Sequence, residues 1–431
     1  MNNFAFYSAM RTILILLILP ATVGIAQDIS YAREVIKTLC SDELKGRGYV
    51  SNGDTKAAEF IAGEFEKIGV KKYSSDYYQR FTLPVNTIPG EVNLVLNGKE
   101  LKPGTDYLID PGSPSVQGKF KTIAISPAEL LTDQWIKKVN MSAGKFLVVE
   151  QYKKESLSQE QLKTITDIIS FLRYGKDNPA SGTIVLTDDK LTWSSSTIQY
   201  SKPSITVLSN TINTPIKAID IKIESEFNSS YQTQNIVGFI EGRVTDTLLV
   251  LTAHYDHLGM MGNKTVFPGA NDNASGVAML LNMAKRYSSQ TPRYTIAFIA
   301  FSGEESGLLG STYFTEHPLF NLHQIKFLIN FDISGTGDDG IQVVNGKIYQ
   351  DKFDRMVEIN REFDLLNQIK IRGEACNSDH CMFYRKGVPC FFIYTLGGIQ
   401  AYHDVFDRAE TLPLTEFEDY FVLMTKFIDE L

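Results

Sequence analysis

Five acidic or imidazole positions stand just past apolar runs in the second half of the chain. "LLVLTAHYDH" carries His254 and Asp256 at the end of one run, and "PGANDNASG" puts Asp272 ahead of the next helical segment. "AFIAFSGEE" ends on Glu304 and Glu305, "FLINFDISG" on Asp332, and "FFIYTLGGIQAYHD" leads to His403. Neighbouring carboxylates repel, and desolvating either one costs on the order of several kcal/mol unless a cation or hydrogen bonds compensate. Two His, two Asp and one Glu suit a borderline divalent ion, zinc above all. A pair of metals about 3.5–4 Å apart needs one bridging carboxylate and about two further ligands each. Five residues fill that count. One acid is left over, and a carboxylate beside a metal-activated water is a general base. Asp256, two residues after His254, is spaced to accept the second ring N–H of that histidine and fix its tautomer.

These residues need elements that bring them together. From Gln234 onward, apolar strand patterns ("NIVGFIEG", "TLLVLTA", "YTIAFIAF", "KFLINFDIS", "VPCFFIYT") alternate with helical patterns over 274–289, 306–316, 351–364 and from about Leu414. Continuous apolar strands between helices predict an α/β fold with a mostly parallel central sheet covered on both faces. Each candidate then leaves at the carboxyl end of a strand, the rim where open α/β sheets build their sites. Singly, each has a plainer explanation. His254 reads as an ordinary strand-end histidine, Asp272 as a helix cap, and the glutamate pair as acids in a first helical turn. The plainer explanations do not account for five such groups on one rim.

In order, "HYD", "NDNASG", "GEESGLLGS", "NFD" and "AYHD" resemble the zinc-dependent M28 peptidases, over about residues 30–80 and 231–431. That resemblance implies two zinc ions, or another divalent metal, bridged by Asp272. His254 and Asp332 complete one site, Glu305 and His403 the other. It further implies Glu304 as the base, Asp256 as support for His254, and Tyr402 as an oxyanion donor. "YHDVFDRAET" departs from the family's usual sequence after the last histidine, which bears on pocket shape more than on metal binding. "NSDH" resembles the family's S-D-H element and assigns Asp379 and His380 to the pocket or its support. Asp407 reads foremost as a helix cap, with steadying of the His403 loop as the alternative, and His257 has a supporting role.

The rest of the chain sets the frame. At 431 residues it is long enough for two domains. Hydrophobic content of 43% with 21% charged residues argues against general disorder, and a formal charge of −8 without a basic run gives no support for nucleic-acid binding. Residues 1–26 pair one Arg with the apolar run Ile13 to Leu19 and with Gly24 and Ala26 before a cleavage point, the pattern of a signal peptide. The expected product is exported, periplasmic or secreted, with no membrane span after cleavage. The peptidase-like domain occupies 27–80 and 229–431. Between them, 81–228 reads as an inserted β-rich domain with one helix near 157–173, weakly similar to the protease-associated type. Cys376 and Cys381 are close enough to close one small loop in an oxidising compartment. The expected activity is hydrolysis of peptide bonds, foremost as an aminopeptidase. Carboxypeptidase, dipeptidase or other amidase chemistry, including that of glutaminyl cyclases, is the alternative, and a non-catalytic receptor of the same fold is another. Oligomeric state is not legible.

Overall fold

The protein is described here as a computed structural model over residues 29–212 and 215–431; the signal-peptide expectation for 1–26 lies outside the described residues. The site-bearing half is a nine-stranded sheet. Its four central strands, Tyr294–Phe301, Val244–His254, Ile325–Phe331 and Cys390–Thr395, lie side by side and parallel. The flanks are mixed. Glu226–Ile240 runs antiparallel to Tyr294–Phe301, and Ile341–Val344 antiparallel to Cys390–Thr395. The fold class is α/β, with the parallel order concentrated in the middle of the sheet.

Strand side chains alternate between faces, and both faces are apolar. Leu249, Leu251 and Ala253 pack with the helices Ile29–Leu39, Gly53–Ile68, Ser275–Ser288 and Phe417–Glu430. Leu248 and Val250 face the other way, into a cluster with Phe314 and Phe383 from the helices Leu309–Glu316 and His380–Arg385. A fully buried side chain of this size stabilises by about 1.5–3 kcal/mol. Covered on both sides, the central strands are the stiffest platform in the molecule, and their carboxyl ends inherit that stiffness.

A second sheet of eight strands is built entirely between residues 92 and 223. Four of its strands, Val116–Ile125, Phe146–Val149, Gly182–Thr187 and Ser204–Leu208, are parallel. Parallel neighbours need crossovers, and three helices lie on this segment: Pro127–Leu130, Gln134–Asn140 and Gln159–Tyr174. The sequence reading found only the last. Pro127–Leu130 is set by a capping box of Ser126 and Glu129 with Pro at its first turn, and a helix this short has no apolar period to read.

The chain enters and leaves this sheet as one antiparallel ribbon, Tyr78–Thr87 against Glu226–Ile240. The two sheets also share a buried seam, where Leu258, Met261, Phe267 and Val405 pack into the same cluster as Trp193 and Ile109. Among the described residues, no helix is long and apolar enough to cross a membrane.

Candidate metal centre

The strand Val244–His254 ends on His254, and the strand Ile325–Phe331 delivers Asp332 one residue past its end. Tyr294–Phe301 turns out through Gly303, at φ +74°, into Glu304 and Glu305. Asp272 sits in the turn Ala270–Ala274 that opens the helix Ser275–Ser288. Gly276 lets that helix start close against the sheet, because a Cβ there would stand 2.2 Å from Asn273 Oδ1 and 2.7 Å from the Phe331 carbonyl.

Asp272 occupies the middle. Its Oδ1 lies 3.3 Å from His254 Nε2 and its Oδ2 lies 2.9 Å from His403 Nε2. Asp332 Oδ1 is 3.4 Å from His254 Nε2, and Glu305 Oε2 is 3.2 Å from His403 Nε2. All five expected ligands therefore meet. Donor atoms close enough for one metal ion occur in two groups, His254–Asp272–Asp332 and His257–Asp272–Glu305. They share the carboxylate of Asp272. Glu304 and Tyr402 line the same cleft of about 650 Å³. Tyr402 is 45% exposed, with its ring stacked on that of His403 at 4.0 Å between centroids.

His254 and His403 are oriented from behind by carbonyls. His254 donates Nδ1–H to the backbone carbonyl of Asp256 at 3.1 Å, while the Asp256 carboxylate stands 3.7 Å away. That carboxylate instead accepts from the Tyr49 hydroxyl at 2.9 Å and from the backbone N–H groups of Glu304 and Glu305 at 3.2 and 3.4 Å. Asp256 thus supports the glutamate pair directly and His254 through its main chain. His403 donates Nδ1–H to the Trp193 carbonyl at 3.1 Å. In both rings Nε2 is the nitrogen that faces the carboxylates.

Charge explains why a cation fits. Asp332 Oδ1 is buried without a hydrogen-bond partner among the described residues, while its Oδ2 accepts from Ser378 at 2.9 Å. Burial disfavours a charged His403, yet the Glu305 and Asp272 carboxylates overcome it and hold the imidazolium up to about 11. His254 is likewise raised, against its burial, by Glu304 and Asp332. Burial, reinforced by Glu305 and Asp332, pushes Glu304 well above the usual carboxylate range. The site carries more negative charge than its surroundings neutralise, and orphaned oxygen and imidazole donors suit zinc.

Several supports were not legible in the sequence. Arg47 is fully buried and donates to five carbonyls, those of Leu39, Tyr255, Pro268, Gly269 and Asp272, tying the N-terminal segment to the His254 and Asp272 loops. No spacing rule finds such a residue. Asp407 is not a helix cap: its carboxylate accepts the N–H groups of Asn271 and Asp272 at 2.8 and 3.0 Å and so sets the Asp272 loop. His257 donates to Glu305 Oε1 at 2.8 Å. His380 donates to the Ala375 carbonyl, and the buried Asp379 is raised to about 7, chiefly by desolvation. Cys376 and Cys381 are disulfide-bonded at the cleft.

A second cleft, of about 540 Å³, lies in the 92–223 segment and is bounded by the helix Gln159–Tyr174 and by residues 188–194. It is comparable in size, but neither candidate metal group falls in it.

Similar proteins place this geometry. Aminopeptidase YwaD of Bacillus subtilis is 34% identical over 123 residues, 28% of this chain and 25% of that protein. A probable zinc metalloprotease of Pyricularia oryzae is 32% identical over 123 residues, 27% of this chain and 24% of its own length. The chain spans from 20% to 49% of the curated relatives it matches. Among solved structures, a zinc aminopeptidase from Bacillus subtilis aligns at TM-score 0.68 and 20% identity, covering 94% of this chain and 95% of that one. At that identity the likeness shows the fold. Residues 235–428 match the family model "Peptidase family M28".

Proposed function

We propose that the protein is an exported zinc aminopeptidase working with two metal ions. The observation that carries this reading is Asp272, whose two oxygens face two different histidines at 3.3 and 2.9 Å. In this scheme His254 and Asp332 hold one ion, Glu305 and His403 the other, and Asp272 both. His403 is preferred over His257 as the ligand because its Nε2 faces Asp272 as well as Glu305, whereas His257 donates to Glu305. When bound, zinc supplies Lewis acidity and a water acidic enough to attack near neutral pH.

The chain's own residues do the rest. Glu304, at the cleft wall, takes a proton from the attacking water and returns it to the leaving amine. Tyr402 offers a phenolic donor to the developing oxyanion. The acid-rich cleft favours a substrate ammonium, which is why an exopeptidase acting on free amino termini is preferred over other amidases. The segment 81–228 is proposed to act as an inserted module beside the cleft. A panel of free and N-acetylated aminoacyl and dipeptide substrates, run with added zinc, tests the reading. Free amines should be cleaved and their acetylated forms mostly not. Equal turnover of both points to another amidase, and no turnover of either to a non-catalytic protein.

A further inference from the structure

One stretch of the second sheet's segment, residues 190–195, crosses the seam and touches the site from behind. Trp193 exchanges two main-chain contacts with His403: its N–H donates to the His403 carbonyl at 2.8 Å, and its carbonyl accepts His403 Nδ1–H at 3.1 Å. Lys190 Nζ reaches the Gln400 carbonyl at 2.6 Å, the Tyr402 carbonyl at 3.2 Å and Asp404 Oδ2 at 2.7 Å. Ser195 donates to the Glu305 carbonyl at 2.8 Å and meets the Ser306 hydroxyl at 3.0 Å. Both residues assigned to the second metal position, the ring of His403 and the main chain of Glu305, are therefore gripped by the same six residues.

The grip has an anchor and something to hold against. Trp193 donates its indole N–H to the Ile109 carbonyl at 2.6 Å and stacks on Phe267 at 4.5 Å, inside the buried seam. His403 has φ +51°, a left-handed backbone that is strained for a non-glycine residue and persists only when its surroundings hold it. Among the described residues, the His254–Asp332 position has no such outside support. Its contacts from Asp256, Ser378 and Arg47 come from the nine-stranded sheet, its loops and the N-terminal segment.

We propose that residues 190–195 are the positioning element of the metal position formed by His403 and Glu305, so that the second sheet's segment sets the affinity of one metal and not the other. Trp193 fixes the His403 tautomer with Nε2 free to ligate, and Ser195 fixes the main chain of Glu305. Supports of this kind typically alter metal affinity about 10–100-fold. The inference rests on the two-metal reading above.

Titration of metal-free protein with zinc, resolving two affinities, tests it without any assay of activity. Trp193→Ala should weaken the looser site about 10–100-fold and leave the tighter one within about threefold. Trp193→Phe keeps the ring stack and should restore most of the loss. Lys190→Met combined with Ser195→Ala, which leaves the buried seam intact, should give the same selective loss if Trp193→Ala fails to fold. Equal weakening of both sites, or none, in a variant that folds overturns the proposal. A wild-type chain that takes up only one zinc overturns the two-metal reading itself, and the proposal with it.

Discussion

The two sides of Asp272 are built differently. On the His254 side, a file of buried hydrogen bonds runs from Thr252 to Asn330 at 2.6 Å, from Asn330 to Ser378 at 2.8 Å, and from Ser378 to Asp332 at 2.9 Å. Thr252 and Asn330 belong to central strands covered on both faces, so Asp332 is held by the stiffest part of the molecule. On the His403 side, the ligand sits eight residues beyond Thr395, in a loop held by contacts more than two hundred positions away in sequence. One half of the site is a consequence of the sheet, the other of a docked segment. On the two-metal reading, position in the fold therefore makes the ion on the His254 side the one held harder.

The largest effect belongs to the catalytic step rather than to either half. Glu304→Gln keeps size and removes the proposed base, so kcat should fall about 10²–10⁴-fold with zinc content unchanged. Glu305→Gln should instead release zinc from the loop side, and activity should partly return with added metal. Zinc loss from Glu304→Gln with full occupancy in Glu305→Gln would reverse the two roles.

Behind the sheet side lies another buried carboxylate, Asp54, which accepts from Tyr231 at 2.7 Å and Thr233 at 2.9 Å. Burial raises it to about 6 in spite of those donors. A carboxyl raised on folding favours the native state while protonated, and that contribution is lost as pH rises through the folded value. Between pH 4 and 6 the wild type should therefore lose about 2 kcal/mol relative to Asp54→Asn. Denaturant unfolding at both pH values measures this, and parallel stability curves for the two proteins would show that Asp54 is not the titrating group.

Ser378→Ala removes a donor to Asp332 Oδ2 and should weaken zinc at the tighter position about 10–100-fold. It is the mirror of the substitutions at 190–195. If both sets loosened the same ion, the two halves would not be independent.

The smallest effect concerns the rim. Cys376→Ser with Cys381→Ser opens a loop too short to restrict the unfolded chain much. KM should rise by several fold, while the unfolding midpoint should move little. A large drop in the midpoint with unchanged KM would make the bridge a structural staple.

What could be read from the sequence follows the same division. His254, Glu304, Glu305 and Asp332 were legible because apolar strands announce where they end, and chemistry placed there stands out against the apolar run, whereas Asp272 was legible through "NDNASG" ahead of a helix. His403 was legible through "AYHD" and its resemblance, with no element boundary beside it. The grip of Trp193 on His403 and of Arg47 on five carbonyls was not legible, since main-chain acceptors have no residue type. Asp407 was misread for the same reason: a cap and a loop clamp present the same side chain and differ only in which N–H groups the fold brings near. The α/β class followed from alternation, whereas the reversed strands at the sheet's flanks are set by tertiary pairing that local pattern does not encode.

The central claim is that Asp272 joins two metal positions of unequal construction. Zinc bound per chain at saturation, measured by elemental analysis on the wild type and on His403→Ala, tests it most directly. The account predicts two zinc ions in the wild type and one, on the sheet side, in the variant. A single zinc in the wild type, or the loss of both on removing His403, would contradict it.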